Sequence, residues 1–98
     1  MFVEFSAIPH RWEKRTEEWV FVDLPEPLSA DIAEIPRPRR GFGGVRVEVR
    51  IGTSVWRTSI FPQGDPVVYI LPLKRSVREA EGIELGREVS VLLDVLDL

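Results

Sequence analysis

Basic side chains beside glycines form the first chemically suggestive group in this chain. Arg37, Arg39 and Arg40 precede Gly41 and Phe42, and two further glycines follow. Guanidinium groups neutralise phosphate or carboxylate, and a glycine-rich backbone can turn its amides toward the same anion. The stretch lacks the spacing and the lysine of a nucleotide-binding P-loop. We therefore predict either a general anion site with Phe42 as an exposed contact residue or, more simply, a solvated loop.

A second basic group lies at the predicted start of a helix. Lys74 and Arg75 are followed one turn later by Arg78, and the hydroxyls of Thr58 and Ser59 would join them if the fold brings the two segments together. Such a surface is typical of contact with an anion or with nucleic acid. Acidic residues surround the same region, namely Glu79, Glu81, Glu84 and Glu88. Nucleic-acid binding is therefore a disfavoured alternative.

Aromatic side chains are candidates for the walls of a ligand cleft, because they offer a large contact area at a low entropic cost. The candidates are Trp12, Trp19, Trp56, Phe21, Phe42, Phe61 and Tyr69. Most of them must also build the core. Trp56 and Phe21 are expected in the core, whereas Trp12 and Phe42 have polar or glycine neighbours and are expected to be exposed.

Catalytic and metal-binding residues are sparse. The chain has no cysteine and a single histidine, His10, for which the sequence indicates no partner. Glu13, Glu17 and Glu18 are interrupted by basic residues and are typical of a solvated turn rather than a metal site. No catalytic residue, metal or cofactor is therefore expected, and an enzyme using His10 and a carboxylate is only an alternative.

Composition places the chain among ordinary globular proteins. It has 98 residues, 44% of them hydrophobic and 30% charged, which predicts one domain over residues 1–98. Its formal charge of −3 opposes long-range attraction to nucleic acid. The sequence shows no run of roughly 20 apolar residues and no signal-peptide pattern, so we expect a cytoplasmic protein without a membrane segment.

Hydrophobic periodicity predicts the elements that must position these residues. Alternation indicates strands, and spacing of i, i+4, i+7 indicates short helices. The predicted strands span Phe2 to Ile8, Trp19 to Asp23, Val45 to Ile51, Ser54 to Phe61, Val67 to Leu71 and a last strand from Val89. One helix is expected around Leu28 to Ile35, capped by Ser29 or preceded by Pro27, and another from Pro72 to Glu81, ended by Gly82.

A hairpin around Gly52-Thr53 is the strongest local prediction. A two-residue turn that begins with glycine is typical of a type II′ hairpin. This turn sets Ile51 opposite Ser54 and fixes every later pair of the two strands. The predicted pairs are Val49 with Trp56, Val47 with Thr58 and Val45 with Ile60 on one face, and Glu48 with Arg57 on the other.

An internal repeat relates the two halves of the chain. Val20 to Pro25 aligns with Val67 to Pro72, and each segment continues into a short helix, a break and a strand of alternating valines. Neither unit alone can bury both faces of its strands, so the two units are expected to intertwine around a pseudo-twofold axis. The predicted fold class is therefore mainly β, a double-split β-barrel of about six to seven strands capped by two short helices.

Several of these residues also carry a family resemblance. The Leu71 to Arg78 stretch with Gly82-Ile83 and Gly86 resembles the swapped-hairpin half of AbrB-like transition regulators. The wider pattern resembles the bacterial family called domain of unknown function 1905, which implies a double-split β-barrel capped by helices. The matching residues are Phe5 to Ala7, Trp19, Leu24-Pro25, Gly43, Val45 to Val47, Ile51-Gly52, Trp56, Thr58 to Pro62, Tyr69 and Leu71 to Arg78. Arg87 departs from the acidic residue expected after Gly86.

These observations favour a small non-enzymatic module that binds a protein partner or a small-molecule ligand. Its expected binding residues are Arg37, Arg39, Arg40, Phe42, Lys74, Arg75 and Arg78. An AbrB-like nucleic-acid binder and an enzyme with an unrecognised site are the alternatives. A monomer and a homodimer are both compatible with the sequence, because the apolar Val91 to Leu98 strand would suit pairing across a dimer axis.

Overall fold

The computed structural model describes residues 1–11, 19–35 and 43–96. Within these ranges it contains seven strands and two helices. In chain order they are β1 (Phe2–Ala7), β2 (His10–Arg11), β3 (Val20–Asp23), α1 (Glu26–Glu34), β4 (Val45–Ile51), β5 (Ser54–Gln63), β6 (Val68–Pro72), α2 (Arg75–Glu81) and β7 (Val89–Val95).

The strands form one antiparallel sheet that curls into a half-barrel. Their order is β1-β7-β4-β5-β6-β3-β2, and each neighbouring pair runs antiparallel. The inward faces of β4 and β7 supply Val45, Val47, Val49, Val91 and Leu93, all with no exposed surface. The predicted mainly β, barrel-like fold with two short helices is confirmed.

The predicted hairpin is confirmed pair by pair. β4 and β5 align Val49 with Trp56 and Val47 with Thr58, as strict alternation requires once the turn is placed. Gly52 begins the turn with a φ of 59°, a conformation that favours glycine. On the outer face the Arg57 guanidinium lies 3.3 Å from the Glu48 carboxylate, so the cross-strand charge pair also forms.

The internal repeat is visible as two strand-helix-strand units. β3, α1 and β4 form the first unit, and β6, α2 and β7 form the second. β3 pairs with β6 and β4 pairs with β7, as a pseudo-twofold axis between the units requires. At the two ends of the β3–β6 pair, Leu24 N donates to Tyr69 O and Leu73 N donates to Val20 O, each at 2.9 Å.

The first helix begins earlier than its apolar spacing predicts. α1 starts at Glu26, with Pro27 inside the first turn, where a missing N–H costs least. The prediction that Ser29 caps this helix was wrong. Ser29 is completely buried inside the helix, and its hydroxyl oxygen accepts a 3.0 Å hydrogen bond from Tyr69 N of β6. Its function is to join α1 to the sheet.

The second helix is shorter than predicted. Pro72 belongs to β6 and lies opposite Phe21, so α2 starts only at Arg75. Leu73 and Val77 are buried as the helical spacing predicts, whereas Ala80 is exposed. Gly82 ends the helix in the left-handed conformation, with a φ of 61°, and Ile83 N donates to Arg78 O at 2.9 Å. The predicted glycine cap is confirmed.

The strand after the hairpin is longer than predicted. β5 continues through Pro62 and Gln63, which lie opposite Tyr69 and Val68 of β6. The turn that follows β5 therefore begins only at Gly64. Neither described helix is long and apolar enough to cross a membrane.

The last strand occupies the interior of the sheet. β7 pairs with β1 on one side and with β4 on the other, and Val91, Leu93 and Val95 are buried. Pairing across a dimer axis is not available to residues 92–94, because β1 and β4 already occupy both edges of the strand there. Leu98 lies outside the described residues.

Candidate ligand-binding cleft

A cleft of about 510 Å³ opens where β6 ends. β3 and β5 flank β6 in the sheet, but over the described residues β6 pairs with β5 only from Phe61 to Gln63. The earlier part of β5 therefore presents a free strand edge, and side chains from both of its faces reach the cleft. The segment after Pro72 crosses this gap and carries α2. The lining residues are Trp19, Val20, Phe21, Trp56, Arg57, Thr58, Pro72, Leu73, Lys74, Arg75 and Arg78.

Aromatic side chains form one wall of the cleft. Phe21 and Trp56 are 3% and 9% exposed, so most of their surface packs inside the protein. Trp19, just before β3, is 40% exposed and packs at a tilt against Phe21, with ring centroids 5.9 Å apart and an interplanar angle of 48°. Trp19 is therefore the more accessible ring, and the buried ring of Phe21 packs against it.

Cationic side chains form the opposite rim. Arg75 donates from Nε to the Glu79 carboxylate at 2.9 Å, one turn along α2. The Arg57 guanidinium is paired with Glu48, as described above. Lys74 is exposed and makes no ion pair or hydrogen bond with any side chain in residues 1–11, 19–35 and 43–96. The cleft thus has a cation whose charge is not balanced by a neighbour in the described structure.

Backbone contacts hold the cationic segment in place. Arg78 donates from Nε to the Leu73 carbonyl oxygen at 3.0 Å and so braces the residue that precedes Lys74. Leu73 itself donates to Val20 of β3 and is almost fully buried. Lys74 therefore follows a residue whose backbone N–H and carbonyl oxygen are both hydrogen-bonded, although the Lys74 side chain is exposed.

The far end of α2 is clasped to the hairpin. The Glu81 carboxylate accepts a 2.7 Å hydrogen bond from the Ser54 hydroxyl and a longer 3.5 Å contact from Thr53. Gly52 packs so close to this carboxylate that a Cβ atom there would overlap it. The clasp fixes the orientation of α2 relative to β5, and so fixes the width of the cleft between them.

The predicted basic group and its hydroxyl partner do meet. Lys74, Arg75 and Arg78 line the same cleft as Thr58, which is half-buried on the inner face of β5. Ser59 points to the other face, opposite Arg46, and does not line the cleft. The remaining predicted binding residues, Arg37, Arg39, Arg40 and Phe42, lie outside the described residues, as does Trp12.

Trp19 and Arg57 are two of the lining residues that are absent from the binding residues predicted from the sequence. Trp19 was grouped with the other aromatic residues, and Arg57 was interpreted only as the partner of Glu48. The sequence feature that could have indicated an exposed Trp19 is its position directly before a strand and directly after the charged 12–18 segment. The contribution of Arg57 follows only from the point at which β5 and β6 stop pairing, which is a long-range property of the sheet.

His10 acquires the partner that the sequence did not indicate. Its Nε2 lies 2.9 Å from the Asp23 carboxylate, across the short β2–β3 pair, and its ring lies 6.4 Å from that of Phe21. Both members of the pair are about half exposed, and neither lines the cleft. Within the described part of the chain no hydroxyl is hydrogen-bonded to His10, so the third member of a hydrolytic triad is not in place there.

A second hollow, of about 560 Å³, lies beside the end of α2. Its acidic residues include Glu81, which is engaged by the clasp, and Glu84, which pairs with Arg87 at 3.3 Å. The described residues contain no grouping of histidine, aspartate and glutamate that would hold a metal ion. This hollow therefore differs in charge and chemistry from the cleft.

Comparison with known proteins adds a family but no activity. No curated protein matches the chain significantly. One family model, described as a domain of unknown function, matches residues 5–93 and so spans both repeat units and every lining residue of the cleft. The match confirms the resemblance noted from the sequence, and the chain belongs to the DUF1905 family.

Proposed function

We propose that this chain is a cytoplasmic, non-enzymatic binding module whose cleft takes a small anionic ligand with an apolar body. The observation that supports this most directly is the charge of Lys74, which no described side chain balances, at the rim of an aromatic-walled cleft. Ligand sites are typically concave and mostly apolar, with a few polar groups that fix orientation, and volumes of roughly 300–1,000 Å³ are usual.

The charge of the cleft lining favours an anion. Four of the described lining residues are cationic, and none of the described lining residues is a carboxylate. The carboxylates that neutralise Arg57 and Arg75 are Glu48 and Glu79, and both ion pairs are exposed to solvent. Exposed pairs contribute little, about 0–1 kcal/mol. A ligand anion can therefore recruit these guanidinium groups at a small cost while it neutralises Lys74.

The aromatic wall favours a ligand with an apolar body. The Trp19 ring is partly exposed. Phe21 packs against Trp19 and is almost fully buried, so this wall of the cleft is rigid. Burial of apolar area is worth about 25 cal/mol per Å², so a ring-sized body adds more affinity than an exposed charge pair does. A compact anion without such a body would leave this wall unused.

The position of His10 supports a binding function rather than catalysis. Its partner Asp23 orients the ring, but both side chains face solvent outside the cleft. A catalytic base must reach the proton that it removes, directly or through one water. A ligand seated between Trp19 and Lys74 is not held by the His10–Asp23 pair.

The test is a titration with 2-naphthoate, followed by two-dimensional ¹H–¹⁵N NMR. The chain has three tryptophans, so three indole N–H resonances report separately. We expect those of Trp19 and Trp56, which line the cleft, to shift with saturation. The neutral analogue 2-naphthalenemethanol is expected to bind roughly tenfold more weakly, because it cannot neutralise Lys74.

The Lys74→Gln variant provides the decisive comparison. It removes the charge and keeps most of the side-chain length, so it should bring the affinity for 2-naphthoate down to that of the neutral analogue. Arg87→Gln, in the second hollow, is the matched control and should bind as the wild type does. Equal affinities of the two naphthalene compounds for the wild type, or no shift at the cleft tryptophans, would contradict the proposal.

A further inference from the structure

We infer that the cleft is built for a phosphate monoester whose sugar also carries a planar aromatic base, the chemistry of a nucleoside monophosphate. The inference rests on the proposed function. It narrows the ligand from any anion with an apolar body to a phosphate monoester with an aromatic ring. Three properties of the lining residues carry it: the number of hydrogen-bond donors, the charge at the rim and the form of the aromatic wall.

The cleft has more hydrogen-bond donors than the two oxygens of a carboxylate can accept from. Lys74 has three N–H donors, Thr58 has a hydroxyl, and Arg57 and Arg75 carry guanidinium groups held only by exposed ion pairs. A carboxylate presents two oxygens in one plane, whereas a phosphate monoester presents three terminal oxygens in a tetrahedral arrangement. Donors that approach from β5 on one side and from the α2 segment on the other suit the tetrahedral anion better.

The charge at the rim also suits a doubly charged group. A phosphate monoester carries about −1.5 to −2 at neutral pH. Lys74 alone would balance a carboxylate and leave Arg75 and Arg57 with their present partners. A dianion needs a second cation, and the exposed Arg75–Glu79 and Arg57–Glu48 pairs are cheap to open. No carboxylate among the described lining residues would repel the second charge.

The aromatic wall suits a planar ring. Trp19 is 40% exposed and tilted by 48° against Phe21, so part of its ring surface is accessible in the cleft. Stacking of a base on an aromatic side chain is favourable and tolerates any base, because every base has a π-face. A cleft of about 510 Å³ accommodates a ring together with its phosphate.

The partner is a free mononucleotide-like compound rather than a strand of nucleic acid. The whole chain carries a formal charge of −3, which repels a polyanion at long range. The carboxylates Glu48 and Glu79 stand directly beside the rim as the partners of Arg57 and Arg75. A single phosphate can use the rim cations, whereas the following phosphates of a strand would pass these acidic side chains.

Isothermal titration with adenosine 5′-monophosphate tests the inference, with adenosine, inorganic phosphate and 2-naphthoate as comparison probes. We expect adenosine 5′-monophosphate to bind at least tenfold more tightly than adenosine or inorganic phosphate, because only it uses both the ring and the anion sites. It should also bind more tightly than 2-naphthoate, because it recruits more of the rim donors.

Two variants test which residue binds the phosphate and which residue contacts the base. Lys74→Gln should weaken adenosine 5′-monophosphate roughly tenfold and leave adenosine unchanged. Trp19→Ala should weaken both nucleoside probes and leave inorganic phosphate unchanged. Arg87→Gln, whose side chain lies in the other hollow, should change none of the affinities. Thermal melting of each variant separates lost binding from lost folding.

The outcomes separate this inference from the proposed function. If 2-naphthoate binds in the cleft but adenosine 5′-monophosphate binds no better than adenosine, the phosphate assignment is overturned and the anion-binding module stands. If a single-stranded 12-mer binds far more tightly than the mononucleotide, with a steep salt dependence, the partner is a nucleic acid and the inference is overturned. If no probe binds, both the inference and the proposed function fall.

Discussion

Two tryptophans share the cleft but differ in how they are held, and this difference separates ligand contact from fold stability. Trp56 is paired with Val49 inside the half-barrel, whereas Trp19 stands before β3 with much of its ring in solvent. Trp56 therefore lines the cleft as part of the core, whereas Trp19 lines it with a partly exposed ring that a ligand could contact.

Trp56→Ala should lower the free energy of unfolding by about 3–5 kcal/mol, because it empties the volume of a buried aromatic ring. Trp19→Ala should cost much less, since the ring is already partly solvated. Urea denaturation of both variants checks this. Equal losses would show that the two rings do not differ in burial as described.

Ser29→Ala should lower the free energy of unfolding by about 1–3 kcal/mol, because it leaves the buried Tyr69 N–H without its acceptor. Ser76→Ala is the matched control, because Ser76 is exposed on α2 and its loss should stay within about 0.5 kcal/mol. The comparison is made by chemical denaturation. A Ser29 variant as stable as the Ser76 variant would contradict the link between α1 and β6.

At the scale of elements, the clasp between the hairpin turn and α2 sets the geometry of the cleft. Glu81 bonds the Ser54 hydroxyl, and the absence of a side chain at Gly52 makes room for its carboxylate. The same helix carries the cleft residues at its other end. A change at the turn should therefore alter the position of the cleft residues about 10 Å away. The distance follows from the seven residues of α2 at about 1.5 Å each.

Gly52→Ala should destabilise the protein more than Gly86→Ala does. Both glycines have positive φ, so both substitutions cost about 1–3 kcal/mol of backbone strain. A Cβ at Gly52 also displaces Glu81, whereas a Cβ at Gly86 meets nothing within 4 Å. Thermal melting and the affinity for 2-naphthoate check this: only the Gly52 variant should lose affinity. Identical behaviour of the two variants would contradict the clasp.

Local patterns predict some of these elements well and others poorly. The β4–β5 hairpin follows from alternation and a glycine turn, which are properties of neighbouring residues. Pro72 suits the first turn of a helix locally, but its pairing with Phe21 keeps it in β6. Ser29 suits a cap locally, but Tyr69 N–H competes for its hydroxyl. In both cases a partner distant in sequence decides the outcome.

For the whole molecule, the repeat predicts the topology and therefore the place of the cleft. Two strand-helix-strand units that intertwine leave a gap where β6 ends, and the helix of the second unit crosses it. The basic group of Lys74, Arg75 and Arg78 is visible in the sequence. Its meeting with Trp19 and Thr58 is not, because it depends on the number of residues over which β5 and β6 remain paired.

The most direct test of the central claim, that this cleft binds an anion with an apolar body, is the position of bound 2-naphthoate. Intermolecular nuclear Overhauser effects from the naphthalene protons, measured on the saturated complex, report that position. The account predicts effects to the ring protons of Trp19 and Phe21, which form the wall of the cleft. Effects to Ile83 and Val89 of the other hollow instead, or none to either ring, would contradict it.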